Sequence, residues 1–131
     1  MQTYNNFQNS ALLILRLVTA AIFFVAGYYK FPFWSGSPEG MSEFMLFITR
    51  FLSIAEPLGA IAVLVGFLTR LAAGGLVIIM IGAIYVLQFD FGIGFVTPTG
   101  PGWNFPLVVL AGCIVLIAFG AGSWSIDNRK K

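Results

Sequence analysis

Two side chains with real chemistry stand where water is scarce. Glu56 lies inside an apolar stretch, 45–68, and Pro57 follows it directly. Arg16 lies inside the first apolar stretch, 10–29. A charged side chain at the centre of a bilayer costs roughly 3 kcal/mol on insertion scales, so each must face other helices, water or a partner. Arg16 is the expected partner of Glu56. A guanidinium and a carboxylate held together would bind a polar head group: a quinone, a sulfur oxyanion or a lipid. Arg16 would polarise a carbonyl or pair with an anion, and Glu56 would accept or relay a proton. The same pair also reads as a structural link between the first two helices. Both readings stay open, and no residue is assigned to catalysis.

Spacing supports a shared face. Arg16, Ala20, Phe23, Gly27 and Lys30 follow each other at steps of 4, 3, 4 and 3, one stripe of a helix. Glu56, Ala60, Val63, Phe67 and Arg70 repeat that geometry. Midpoints of the two stretches put Arg16 and Glu56 about 6–8 Å apart along the axis, within reach of an arginine. Ser53 stands one turn before Glu56, so its hydroxyl reaches the same spot. Pro57 withholds a backbone donor and predicts a kink that frees carbonyls near Ser53. Lys30 is either an interfacial anchor or the first contact for an anion at the outer mouth. Trp103 and Asn104, opening the last apolar stretch, are placed beside that mouth. The candidate ligand-binding set is therefore Arg16, Glu56, Lys30, Ser53, Trp103 and Asn104.

The elements that must position these residues follow from composition. Of 131 residues, 59% are hydrophobic and 9% charged, against about 25% charged in soluble domains. Mean hydropathy is +0.93. A spanning helix needs about 20 apolar residues. Four such stretches fit: 10–29, 45–68, 71–88 and 104–121. The expected fold is all-α, an integral-membrane antiparallel four-helix bundle forming one domain, 1–131. Strands are not expected, because the apolar runs do not alternate. The flank 1–9 carries no Lys or Arg, which argues against a signal peptide. Arg70, Arg129, Lys130 and Lys131 favour cytoplasmic termini, with loops 30–44 and 89–103 outside. The terminal basics read as an anchor at anionic lipid, not as a nucleic-acid site.

Absences narrow the chemistry. One cysteine, Cys113, cannot cycle through an intramolecular disulfide. With no histidine the usual haem ligand and proton relay are missing. The scattered carboxylates suit no metal cage, so no metal and no intrinsic cofactor are expected. Any redox group would be a bound quinone or belong to another subunit. Gly75 and Gly82 share a face that would admit a neighbouring backbone. Asp127 is expected to cap a helix or to face solvent.

Several local patterns line up along the chain: Leu15-Arg16-Leu17, Gly27-x-x-Lys30, Glu56-Pro57-Leu58-Gly59, the run Gly66-Phe67-Leu68-Thr69-Arg70, and the tail from Gly120 to Asp127. Over roughly residues 10–127 the chain resembles the DoxX family of small four-helix bacterial membrane proteins. That resemblance implies the bacterial inner membrane and kinship with a subunit of a thiosulfate:quinone oxidoreductase. It implies an accessory or co-catalytic subunit of a quinone-linked membrane oxidoreductase, with partner subunits or further copies of itself. A non-enzymatic assembly or interaction protein is the alternative, and a small transporter a lesser one. Family members often carry a histidine near the end of helix one, where this chain reads Gly27-Tyr28-Tyr29-Lys30.

Overall fold

Asn5 opens the first helix. Its side chain accepts from Gln8 N at 2.8 Å, and the Gln8 side chain accepts from Asn5 N at 2.9 Å, a reciprocal capping box. The structure, a computed structural model, describes residues 3–129. Lys130 and Lys131, expected as a lipid anchor, lie outside the described residues. The main helices are α1 (Asn6–Tyr28), α2 (Glu43–Val65), α3 (Thr69–Tyr85) and α4 (Asn104–Phe119), with a short α5 (Ile126–Arg129). A 3₁₀ turn, Phe31–Trp34, prolongs α1, and a π-helical turn, Val86–Asp90, prolongs α3.

With these turns included, Asn6–Trp34, Glu43–Val65 and Thr69–Asp90 are long and apolar enough to cross a membrane. α4 is apolar but has 16 residues, about 24 Å of helix against a hydrocarbon core of about 30 Å. It stops at Phe119 because Gly120 turns to φ 77°, short of the expected limit at 121. α2 continues as helix through Pro57. The turn between α2 and α3 falls at residues 66–68, and Thr69 and Arg70 already belong to α3. The second long loop holds a two-residue antiparallel ladder, Val96–Thr97 with Gly100–Pro101, where no strand was expected.

Polar and charged side chains are buried beside the apolar core, while many large apolar ones face outward. Arg16, Ser53, Glu56 and Thr69 are buried, while Phe7, Phe44, Leu71 and Ile78 are exposed. Lipid imposes this arrangement, since it solvates apolar side chains and leaves polar groups to find partners inside. α1 packs mainly on α2, and α3 mainly on α4. Phe23, Ala60, Val63, Leu76, Cys113 and Leu116 meet in the core. A Cβ on Gly27 would strike the Pro57 ring, its Cδ at 2.7 Å. Glycine there lets α1 and α2 close at the level of the proline. The expected glycine face of α3 does not serve this purpose: a Cβ on Gly75 or Gly82 would meet nothing within 4 Å.

Candidate functional site

Two polar centres occupy opposite ends of the α1–α2 contact. The first is built around Arg16. Its Nε donates to Val63 O at 2.9 Å, and Nη2 donates to Leu64 O at 2.7 Å. Nη1 donates to Ala121 O at 3.1 Å and to Trp124 O at 2.9 Å. The last carbonyls of α2 run short of helical donors; one guanidinium fork binds two of them, Val63 O also accepting from Gly66 N at 3.2 Å, while seizing the tail. The tail is held further by Asn9, whose Oδ1 accepts from Ser123 N at 2.8 Å. Tyr4 Oη donates to Phe119 O at 2.7 Å.

The tail in turn fixes the α2–α3 turn. Both Asp127 carboxylate oxygens cap α3, accepting from Leu68 N at 2.7 Å and Thr69 N at 2.9 Å. A negative group at a helix N-terminus is favourable for both its hydrogen bonds and the helix dipole. Asp127 N donates to Gly66 O at 2.7 Å. Gly66 sits at φ 73°, and a Cβ there would strike Ser125. The expectation that Asp127 caps is met by an unforeseen route, 58 residues along the chain from Thr69.

The second centre contains Glu56. Its Oε2 lies 3.1 Å from Lys30 Nζ, with side-chain exposures of 3% for Glu56 and 26% for Lys30. The expected Arg16–Glu56 pair does not form. Arg16 faces Val63, seven residues past Glu56, about 10 Å farther along the helix. Lys30 Nζ also donates to Ala26 O at 3.3 Å, leaving its third proton without an acceptor among the described residues. Glu56 Oε1 makes no hydrogen bond to the described residues.

Ser53, one turn before Glu56 on α2, is buried, and Trp34 is its side-chain partner. Trp34 Nε1 donates to Ser53 Oγ at 2.7 Å, and Ser53 Oγ donates to Arg50 O at 2.6 Å. Arg50 Nε donates to Phe33 O at 2.8 Å, and its guanidinium lies 5.7 Å from the Trp34 ring centroid. The 3₁₀ turn after α1 is thus folded back onto α2. Among the described residues, Trp103 and Asn104 make no hydrogen bond or ring contact with Lys30 or Glu56. Trp103 packs edge-on against Phe95 at 4.8 Å, and Asn104 Oδ1 accepts from Gly102 N at 3.0 Å. They brace the second long loop.

Of the six residues picked from sequence, the structure pairs Lys30 with Glu56, keeps Ser53 one turn before Glu56 on α2, and gives Arg16, Trp103 and Asn104 other partners. Sequence reasoning passed over Arg50, although a second charge inside 45–68, one turn before Ser53, was a visible signal. Trp34 gave a weaker one, an aromatic beside Pro32 in a loop able to fold back.

A model of the DoxX family matches residues 11–89, more than half of the 131-residue chain. The chain belongs to the DoxX family. Its apolar helices and this membership make it a multi-pass membrane protein. The DoxX match includes Arg16, Lys30, Trp34, Arg50, Ser53 and Glu56, and stops before the tail that Arg16 holds. No curated protein and no solved structure matches the chain.

Proposed function

We propose that this DoxX protein is an accessory or co-catalytic subunit of a quinone-linked membrane oxidoreductase, with a quinone head group bound at Lys30 and Glu56. In this reading it is an antiparallel four-helix bundle of the bacterial inner membrane with cytoplasmic termini. The opposed registers Gly27 on Pro57 and Arg16 on Val63 support the antiparallel arrangement. Arg70, packed by Gly120 where the tail begins, and Arg129 in the tail support the orientation.

One observation carries the site: a sheltered ion pair that, among the described residues, leaves one donor and one acceptor without partners. Ion pairs inside a membrane mark functional sites by default. A quinone carbonyl accepts from Lys30, and the hydroxyl of a quinol donates to Glu56. Electrons come from a partner subunit, since this chain supplies no redox group of its own in this reading. Lys30 takes the role first expected of Arg16.

The test uses protein purified in mild detergent, with Trp103 and Trp124 replaced by Phe so that Trp34 reports alone. A short-chain quinone is expected to quench Trp34 saturably. Glu56→Gln and Lys30→Met are expected to abolish saturation without loss of helical circular dichroism. Absence of saturable quenching in the parent, with unchanged oxidase activity in Glu56→Gln membranes, overturns the reading.

A second reading, a non-enzymatic assembly protein, is favoured by the internal commitment of Arg16. In it the Lys30–Glu56 pair is structural too. It predicts that Lys30→Met/Glu56→Met folds and still co-purifies with the same membrane chains. Loss of a quinone-dependent activity in that folded double variant counts against it.

A further inference from the structure

The lipid-facing side of α2 carries a groove of about 710 Å³ walled by Trp34, Phe47, Phe51, Ile54 and Leu58, with Arg50 on its rim. From residue 47 to residue 58 the groove follows about 16 Å of helix. Its walls are almost wholly apolar, and Phe47, Phe51, Ile54 and Leu58 are exposed. Arg50 is the exception. Its Nε is tied to Phe33 O, and its guanidinium lies over Trp34. Its two terminal nitrogens make no hydrogen bond to the described residues. A guanidinium anchored by Nε presents those nitrogens as a fixed fork, the geometry that recognises a phosphate through two parallel hydrogen bonds.

We propose that this groove holds one anionic phospholipid, its phosphate on the Arg50 fork and one acyl chain along Phe51, Ile54 and Leu58. Charge complementarity selects the occupant. An apolar trough alone would take any acyl chain, and a basic fork alone any anion. The two joined at one end fit a molecule with a negative head and a long apolar tail. Phe33 and Trp34 belong to the turn that closes on Ser53. A lipid seated on Arg50 therefore braces the turn that carries Trp34 onto Ser53. The site is separate from the proposed quinone site, since neither Lys30 nor Glu56 lines the groove.

Native mass spectrometry of the full chain tests this. Protein is equilibrated with equal amounts of dioleoyl phosphatidylglycerol and dioleoyl phosphatidylcholine in mixed micelles, then stripped of loosely held lipid. One retained phosphatidylglycerol is expected, preferred about fivefold, the size expected of one basic side chain at anionic lipid. Arg50→Gln is expected to remove the preference while phosphatidylcholine is still retained. Ile54→Trp, which keeps Arg50 and fills the groove, is expected to lose both lipids. Glu56→Gln is expected to leave the preference intact, which separates this test from that of the quinone reading. Equal retention of the two lipids by the parent overturns the proposal. So does an unchanged preference in folded Ile54→Trp, or displacement of the lipid by excess quinone.

Discussion

Lys30 Nζ stands 3.1 Å from Glu56 Oε2, one turn past the point where Gly27 of α1 seats the Pro57 ring of α2. The pair is asymmetric. Glu56 is almost wholly enclosed, whereas Lys30 keeps about a quarter of its side chain exposed. Removing one partner of a buried pair is costly because the other charge is stranded. Lys30→Met strands the enclosed carboxylate, and a loss of about 3 kcal/mol is expected. Glu56→Gln leaves an ammonium that still reaches Ala26 O and the surface, so the loss should be about 1 kcal/mol. Thermal unfolding in detergent should rank the melting points parent, Glu56→Gln, Lys30→Met. The double apolar variant should recover most of the loss.

Arg16 should tolerate no replacement. Its four hydrogen bonds reach two carbonyls of α2 and two of the tail. Lysine has a single nitrogen and cannot span both segments. Arg16→Lys and Arg16→Met should therefore each cost several kcal/mol, about 1–3 for each carbonyl left unsatisfied, and neither should accumulate as a monodisperse protein in fluorescence-detected size exclusion. Recovery of folded protein in Arg16→Lys would contradict the division of labour among the four carbonyls.

Asp127 should control the local stability of the α2–α3 turn. Asp127→Ala removes both acceptors from Leu68 N and Thr69 N and should cost about 1–2 kcal/mol. Hydrogen exchange should show Leu68 and Thr69 amides exposed early, with α1 amides unchanged. Asp127→Asn keeps one acceptor and should fall between the two.

Gly27 and Pro57 should behave as a coupled pair. Gly27 is helical, so Gly27→Ala introduces no backbone strain; its Cβ meets the proline ring. Overpacking of this kind should cost about 1–3 kcal/mol and should move Lys30 away from Glu56. Pro57→Ala removes the ring. A double-mutant cycle on unfolding should give a positive coupling, with Gly27→Ala/Pro57→Ala more stable than Gly27→Ala. Additive single effects would show that the contact does not set the helix separation.

The charges that periodicity could align were legible: Glu56 and Ser53 share a face of α2, and Lys30 continues a stripe of α1. What failed was axial position. Counting from apolar limits placed Arg16 near Glu56, but the packing register is set by Gly27 on Pro57, a steric match that periodicity does not reveal. Arg50 and Trp34 join the centre because the first loop turns back through a 3₁₀ segment. Trp103 and Asn104 leave it because their loop closes on itself at Gly94, Phe95 and Gly102.

Composition alone required helices with an apolar exterior. Lipid offers the backbone no hydrogen bonds, so each spanning segment must satisfy its own. Arg16 and Glu56 then had to turn inward, whatever their partners. Only the tertiary structure decided which partners those were. Arg16 found carbonyls from two segments far apart in the chain, and Glu56 found Lys30, because a side chain reaches only a few ångströms. Helix separation, register and the returning tail decide what lies within that radius, and each arises from contacts between segments that no single stretch of sequence contains.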